Sequence, residues 1–366
     1  MNFGFAILDF GLRRKAVRKI IRSESLSVNN LKSKIKNRKW VGILAIAFTL
    51  AVGAAEASAQ QTEKIFRIGF LDSSTASGSA VLVRAFRQEL SKLGWIEGKN
   101  IAIEYRFTES KGIERLPELA ADLVRLKVDL IVATDTPSAM AAKNSTQAIP
   151  IVMANVGDPV GSGLVSSLAR PGGNVTGNAS LTPELNSKRL EVLKDVVPRL
   201  TRVGVLRGSR SGGSGELQFK ELRPAAVALK LTLEEIKTQP DLKGLESAFQ
   251  TAKQKLVDAI MTQSTRPFFA ERKRIVELAV NYRLPAIYFQ DDFVEAGGLM
   301  SYGADFEDLY RRAAVYVDKI LKGAKPADLP VQQATKFEFV VNLKAAKQID
   351  LTIPVNVLER ANKVIK

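Results

Sequence analysis

The sequence predicts an α/β chain of two doubly wound, parallel-sheet lobes, and three observations carry that reading. From residue 66 onward, short β-branched or apolar runs alternate with amphipathic stretches, the grammar of parallel strands covered by helices. The alternation runs twice, interrupted by Arg170-Pro171-Gly172-Gly173-Asn174 with Gly177 just beyond, a cluster of turn formers. About 300 residues follow residue 59, more than one hydrophobic core usually organises, so two lobes are expected.

Residues 66–71, Phe-Arg-Ile-Gly-Phe-Leu, read as the first strand. Leu82, Phe86, Leu90 and Leu93 then recur at helical spacing, and Gly94 ends that helix. Strands at 101–105, 130–133 and 149–154 alternate with helices at 116–126 and 137–143, and a helix is expected over 159–168. The cluster at 170–174 is either a hinge between lobes or a plain surface loop. Beyond it come helices at 183–197, 216–229, 242–256 and 267–282, alternating with strands at 203–206, 232–236, 259–262 and 286–289. Gly297-Gly298 leads into 299–303 and a helix at 306–321, after which 337–341 is strand-like and 353–357 apolar. The expected division is 64–177 plus 298–330 for the first lobe and 178–297 for the second. A tail, 331–366, packs on one or both.

Ahead of this body lies an export signal. Basic residues 32–39 precede an apolar run at 41–55 and then Ala57-Ser58-Ala59, the arrangement a secretory peptidase reads, with cleavage after Ala59. An apolar run of about 15 residues falls short of the roughly 20 that a helix needs to span hydrocarbon. The n-region is unusually long, as an upstream start codon chosen in error, with Met1 not the true start, would make it.

Composition removes whole classes of chemistry. Cysteine is absent, which excludes disulfides, thiolate catalysis, Cys-ligated metal and the acylated cysteine of a lipoprotein, so a free periplasmic protein is expected. Histidine is absent too, removing the Ser-His-Asp and Cys-His triads and the commonest metal ligand. No catalytic residues, metal or cofactor are expected. The net charge of +16 halves to +8 without residues 1–59, and no basic block follows Lys39, so nucleic acid is not an expected partner.

In open parallel sheets small molecules bind beyond the carboxyl ends of the strands, so the loops that follow each strand are the candidate site. After the first strand stand Ser73 and Ser74 in a hydroxyl-rich loop without G-x-G-x-x-G, which disfavours a dinucleotide. After the third come Thr134, Asp135 and Thr136, with Thr136 as expected cap and Pro137 at the first helical position. After the fourth comes Asp158, expected to cap the next helix. The matching loops of the second lobe offer Arg207, Ser209 and Arg210, then Ser264, then Asp291. A guanidinium at such a loop clamps a carboxylate or phosphate, or else is a solvated surface charge. Asp292 with Glu295 three residues on reads as a capping-box variant rather than as an acid–base pair.

These residues together resemble the tryptophan-binding-type family of bacterial ABC-transporter substrate-binding proteins, which have the type I periplasmic binding protein fold. The resemblance runs from about Phe66 to the C-terminus. It rests on stretches such as Gly94-Trp95-Ile96-Glu97-Gly98-Lys99-Asn100, Arg170-Pro171-Gly172-Gly173-Asn174-Val175-Thr176-Gly177 and Gly297-Gly298-Leu299-Met300-Ser301-Tyr302-Gly303. It implies two lobes joined by a multi-crossing hinge, a small-molecule ligand caught between them, and delivery to a membrane permease with its cytoplasmic ATPase. It also implies contacts at Ser73, Ser74, 134–136, Asp158, the loops after Leu206 and Thr262, and Asp291. The chain departs from the family pattern at 207–213, where an Asn-Pro-rich loop is common, and at Arg266, where an acidic residue often precedes the proline.

The leading expectation is therefore a monomeric solute receptor for a small anionic or zwitterionic metabolite, with Arg207 or Arg210 facing its carboxylate. Two others share the fold: a ligand-sensing transcription regulator, against which the apolar run at 41–55 argues, and a periplasmic sensory partner of a membrane receptor. An enzyme fits least, for want of His, Cys, a phosphate loop or paired carboxylates.

Overall fold

A computed structural model describes residues 64–366 apart from Ser110, Arg210 and Ser211. The export signal and basic extension expected over 1–59 lie outside the described residues. The first half runs β1 (Phe66–Asp72), α1 (Ala76–Lys92), β2 (Ile101–Phe107), α2 (Leu116–Arg125), β3 (Leu130–Ala133), α3 (Thr136–Ser145), β4 (Ile151–Val156) and β5 (Val175–Ala179). The second runs α4 (Thr182–Val196), β6 (Arg202–Gly208), α5 (Gly212–Ala228), β7 (Thr232–Thr238), α6 (Leu242–Gln254), β8 (Ala259–Thr262), α7 (Arg266–Ala270), α8 (Arg272–Asn281), β9 (Ala286–Tyr288), α9 (Asp292–Glu295) and β10 (Met300–Ala304). The chain closes with α10 (Phe306–Leu321), β11 (Gln332–Gln333), β12 (Phe337–Asn342), α11 (Leu343–Gln348), α12 (Val355–Leu358) and β13 (Lys363–Ile365).

Two sheets result. The first has the order β11-β5-β4-β3-β1-β2 and is parallel throughout. The second has the order β13-β12-β10-β9-β8-β6-β7, parallel except where β12 meets β10. Helices cover both faces, which is why β3 (Leu-Ile-Val-Ala), β4 and β8 are apolar or small at nearly every position and buried along their whole length. Each sheet contains the same reversal of strand order, between β1 and β3 in the first and between β6 and β8 in the second. Crevices open at such reversals, because consecutive connections leave for opposite faces.

Three segments pass between the sheets: β5 to α4 at Ser180 and Leu181, β10 to α10 at Asp305, and β11 to β12 through 334–336. They are tied to one another and to the strand ends. The Asp305 amide donates to the Lys336 carbonyl at 3.1 Å, and the Ala334 amide to Ala179 at 2.8 Å.

Several expectations are corrected. Met300–Ala304, assigned from the sequence to the first lobe within 298–330, is a strand of the second sheet, where Met300 pairs with Ile287 and Val341; only from Phe306 does the chain return to pack on α1 and β4. The expected boundary at 177/178 falls inside β5, and the tail supplies one short strand to the first sheet and two to the second. The helix expected over 159–168 is a single turn, because Gly163 takes φ +72° and ends it. The helix expected over 267–282 breaks at Glu271 into α7 and α8. No strand is predicted from the sequence over Val175–Ala179, beyond the turn-forming cluster, yet the structure forms β5 there. Gly177 within it sits at φ +127°, and a Cβ there would lie 2.3 Å from the Met153 carbonyl oxygen, so the β4–β5 register shift beside it requires glycine.

Among the described residues no helix is long and apolar enough to cross a membrane.

Candidate functional site

The carboxyl ends of both sheets line one cleft. From the first sheet it takes Ser73, Ser74 and Thr75 after β1, Asp135 and Thr136 after β3, Asn155 and Asp158 at the end of β4, and Thr182 at the crossing into α4. From the second it takes Ser209 after β6, Gln239 and Asp241 after β7, Gln263 to Arg266 after β8, and Glu271 beyond α7. Both reversals of strand order feed it.

The first-sheet wall is held by short side chains bonding to backbone. Asp72, fully buried, accepts from the Ser74 amide and the Ser79 hydroxyl, both at 2.8 Å. Asp135, and not the expected Thr136, caps α3 by accepting from the Ser138 amide at 2.9 Å, and Ser73 donates its hydroxyl to the same carboxylate. Burial pushes the Asp135 carboxyl up from its ordinary range, against the pull of the Ser138 and Ser73 hydrogen bonds. Asp158 caps only the turn that replaces the expected helix, accepting from the Gly161 amide at 2.7 Å.

The second-sheet wall is braced from behind. Arg189 on α4 is buried and donates Nε to the Tyr302 carbonyl at 2.6 Å and Nη1 to Ser264 Oγ at 3.1 Å. Desolvation lowers its pKa to about 9. Gln218 clamps Ser264 from the other side, accepting from its amide at 2.9 Å and donating to its carbonyl at 3.0 Å. Gln263 accepts from the Gly208 amide at 3.1 Å, which ties the β6 and β8 loops together.

One side chain crosses. Arg266, at the start of α7, is 2% exposed and reaches the opposite wall, where Nη2 donates to Ser79 Oγ at 2.8 Å and lies 3.5 Å from Asp72 Oδ2. Its guanidinium lies over the Phe269 ring, 4.8 Å from the centroid, with the Tyr310 ring at 6.0 Å. Burial opposes its charge, but Tyr310, Asp72 and Asp135 outweigh burial and hold its pKa up. Arg266 keeps Nε and Nη1 without hydrogen-bond partners, as Ser74 does its Oγ and Gln263 its Nε2. All three residues are buried and line the cleft, which therefore holds unspent donors from both walls.

Of the residues picked out from the sequence, Ser73, Ser74, Asp135, Thr136, Asp158, Ser209 and Ser264 come together in this cleft. Thr134 is buried at the end of β3 and does not line it. Arg207 is corrected outright: it pairs with Glu235 at 2.8 Å and Glu216 at 3.1 Å and stacks over Phe219, so its charge is spent inside its own lobe. Asp291 sits before α9, outside the cleft lining, and neither it nor Asp292 forms the expected cap, since no side chain accepts from that helix's first turn. Arg210 lies outside the described residues. In the sequence Arg266 stands out as a departure from the family pattern but not as a contact residue, and Asn155, Thr182, Gln218, Asp241, Gln263 and Glu271 are not singled out. The Gln239-Pro240-Asp241 turn after β7 had the same strand–turn–cap form as the loops that were chosen; Gln218, on a helix face, had no such signal.

Comparison with known proteins agrees with this architecture. The chain is 29% identical over 270 residues, 73% of its length and 76% of the relative's, to a tyrosine-binding protein of Clostridioides difficile. Among solved structures, a conserved domain protein of Vibrio cholerae superposes with a TM-score of 0.74 at 28% identity, and an ABC domain of Streptococcus pneumoniae in complex with L-Trp with 0.73 at 27%. Each superposition covers 82% of this chain and all of the other. The fold is that of type I periplasmic binding protein-like structures. Residues 76–365 match the family model of the ABC transporter substrate binding proteins, and the chain belongs to that family.

Proposed function

We propose that this chain is the extracytoplasmic solute receptor of an ABC-type importer, trapping a small anionic or zwitterionic metabolite, amino acid-like or carboxylate-like, between its two lobes. The observation that carries the reading is the shared cleft: loops from both strand-order reversals line it, and Arg266 with Ser74 and Gln263 leaves buried donors there without partners. A ligand that satisfies donors on both walls binds the closed arrangement better than an open one, and so shifts the equilibrium toward closure. The closed pair of lobes is then the surface offered to the membrane permease, whose cytoplasmic ATPase drives transport. No bond is broken in this cycle, and neither cofactor nor metal takes part.

The anion is received by Arg266, in place of the Arg207 expected from the sequence. A planar guanidinium with two free donor positions suits a carboxylate. The similar proteins named for tyrosine and solved with L-Trp support an amino acid-like ligand. The protein is exported by the cleavable signal at 1–59, is not a lipoprotein, and acts as a monomer.

Thermal unfolding of the protein against a panel of amino acids, small carboxylates and neutral sugars tests this. A true ligand at about 100 times its dissociation constant adds about 2.7 kcal/mol of stability. A shift with an amino acid or carboxylate supports the reading. A shift with neutral sugars alone, or turnover of any compound bound there, overturns it.

A further inference from the structure

The charges that line the cleft are unequal. Asp135, Asp158, Asp241 and Glu271 line it with Arg266, the one basic residue among the described lining residues, and Arg266 is already accompanied by Asp72. Among the described residues, Asp158, Asp241 and Glu271 form no ion pair. Glu271 follows the last residue of α7, whose first residue is Arg266, and the Arg266 side chain reaches away to the opposite wall. The cleft thus has a cationic pole backed by buried donors without partners on Arg266, Ser74 and Gln263, and an acidic pole at Glu271 and Asp241. Burial, and after it the neighbouring Asp241, push the Glu271 carboxyl up.

We propose that the ligand is a cationic amino acid, its α-carboxylate on Arg266 and its side-chain ammonium or guanidinium at Glu271 and Asp241. The inference rests on the receptor reading and departs from its anionic alternative: a zwitterion with one further positive charge offsets the carboxylates among the described lining residues, whereas a plain anion adds to them. Asp135, with Ser73 bonded to it, lies on the opposite wall and takes the α-ammonium.

Calorimetric titration of the full chain with two matched pairs, L-arginine against L-citrulline and L-lysine against L-norleucine, tests it. The basic member of at least one pair is expected to bind tenfold or more tightly than its uncharged partner. Glu271→Gln, which keeps the shape of a half-buried side chain, is expected to cut that preference to threefold or less while the variant's melting temperature confirms that it folds. Equal affinity within both pairs, or a preference unchanged in Glu271→Gln, overturns the inference. If L-tyrosine or L-tryptophan binds and neither basic amino acid does, the cationic ligand is wrong and the receptor reading stands. If no amino acid or carboxylate binds, both fall together.

Discussion

Arg266 and Asp72 meet across the cleft, 3.5 Å apart, the one carried by the second sheet and the other by the end of β1 in the first, and both are out of water. A buried ion pair costs about as much in desolvation as it returns in attraction, so its value lies in what happens when one partner goes missing. Here the Ser74 amide and the Ser79 hydroxyl share the load on Asp72.

Removing Arg266 strands Asp72. Arg266→Ala is expected to lower stability by about 3 kcal/mol, measured by urea unfolding, and the double variant with Asp72→Asn to recover a large part of that loss. A loss below about 1 kcal/mol would mean that the pair is solvated in solution and that the lobes do not meet there.

Gly78 on α1 is where the other lobe comes closest. A Cβ at this position would lie 2.6 Å from the Ala270 Cβ on α7. Alanine favours a helix by about 1 kcal/mol over glycine, so Gly78→Ala folds, but it props the lobes apart. We expect it to weaken ligand binding at least tenfold by calorimetry, and unchanged affinity would show that closure does not bring α1 against α7.

Asp292 makes stability depend on pH. Burial, with Asp291 beside it, raises its pKa from 3.8 to about 6, and Arg272 at 3.9 Å only partly offsets this. The folded state therefore holds the proton more tightly than the unfolded chain. That contribution is fully present below about pH 3.8 and is lost as pH rises through about 6. Asp292→Asn is expected to flatten the fall in melting temperature between pH 4 and pH 7, and a slope identical to that of the parent protein refutes the assignment.

Arg207 is expected to matter for the lobe and not for the ligand. Its pairs with Glu216 and Glu235 sit beside the Arg223 pairs with the same two carboxylates. Arg207→Ala should cost about 1 kcal/mol of stability and leave the ligand-induced melting shift intact. Loss of that shift would return Arg207 to the binding site.

The loops that bear the site were legible because parallel sheets place their ligands at strand ends whatever the side chains are. The short polar residues after β1, β3, β4, β6 and β8 could be marked on that ground alone, and Ser73, Ser74, Asp135, Thr136, Asp158, Ser209 and Ser264 do converge. Arg207, expected at the ligand, is held elsewhere for a physical reason. A guanidinium goes where carboxylates and rings receive it, and Glu235, Glu216 and Phe219, which receive Arg207, are brought together only by the pairing of β6 with β7 and the packing of α5. Arg266 stands out in the sequence only as a departure from the family pattern, and nothing local to it says that its side chain reaches Ser79 on the other wall.

The sequence by itself determined the alternation of strands and helices, the doubling of that unit, and the exclusion of histidine and cysteine chemistry, because periodicity and composition are local properties of the chain. The tertiary structure alone decided that β10 joins the second sheet while α10 returns to the first, and that Arg266 rather than Arg207 faces the cleft. It also decided that Glu271 and Asp241 form an acidic pole. Each of these depends on which distant segments share a register or a wall, and that is settled by the burial of β10 between β9 and β12 and by the approach of the two lobes.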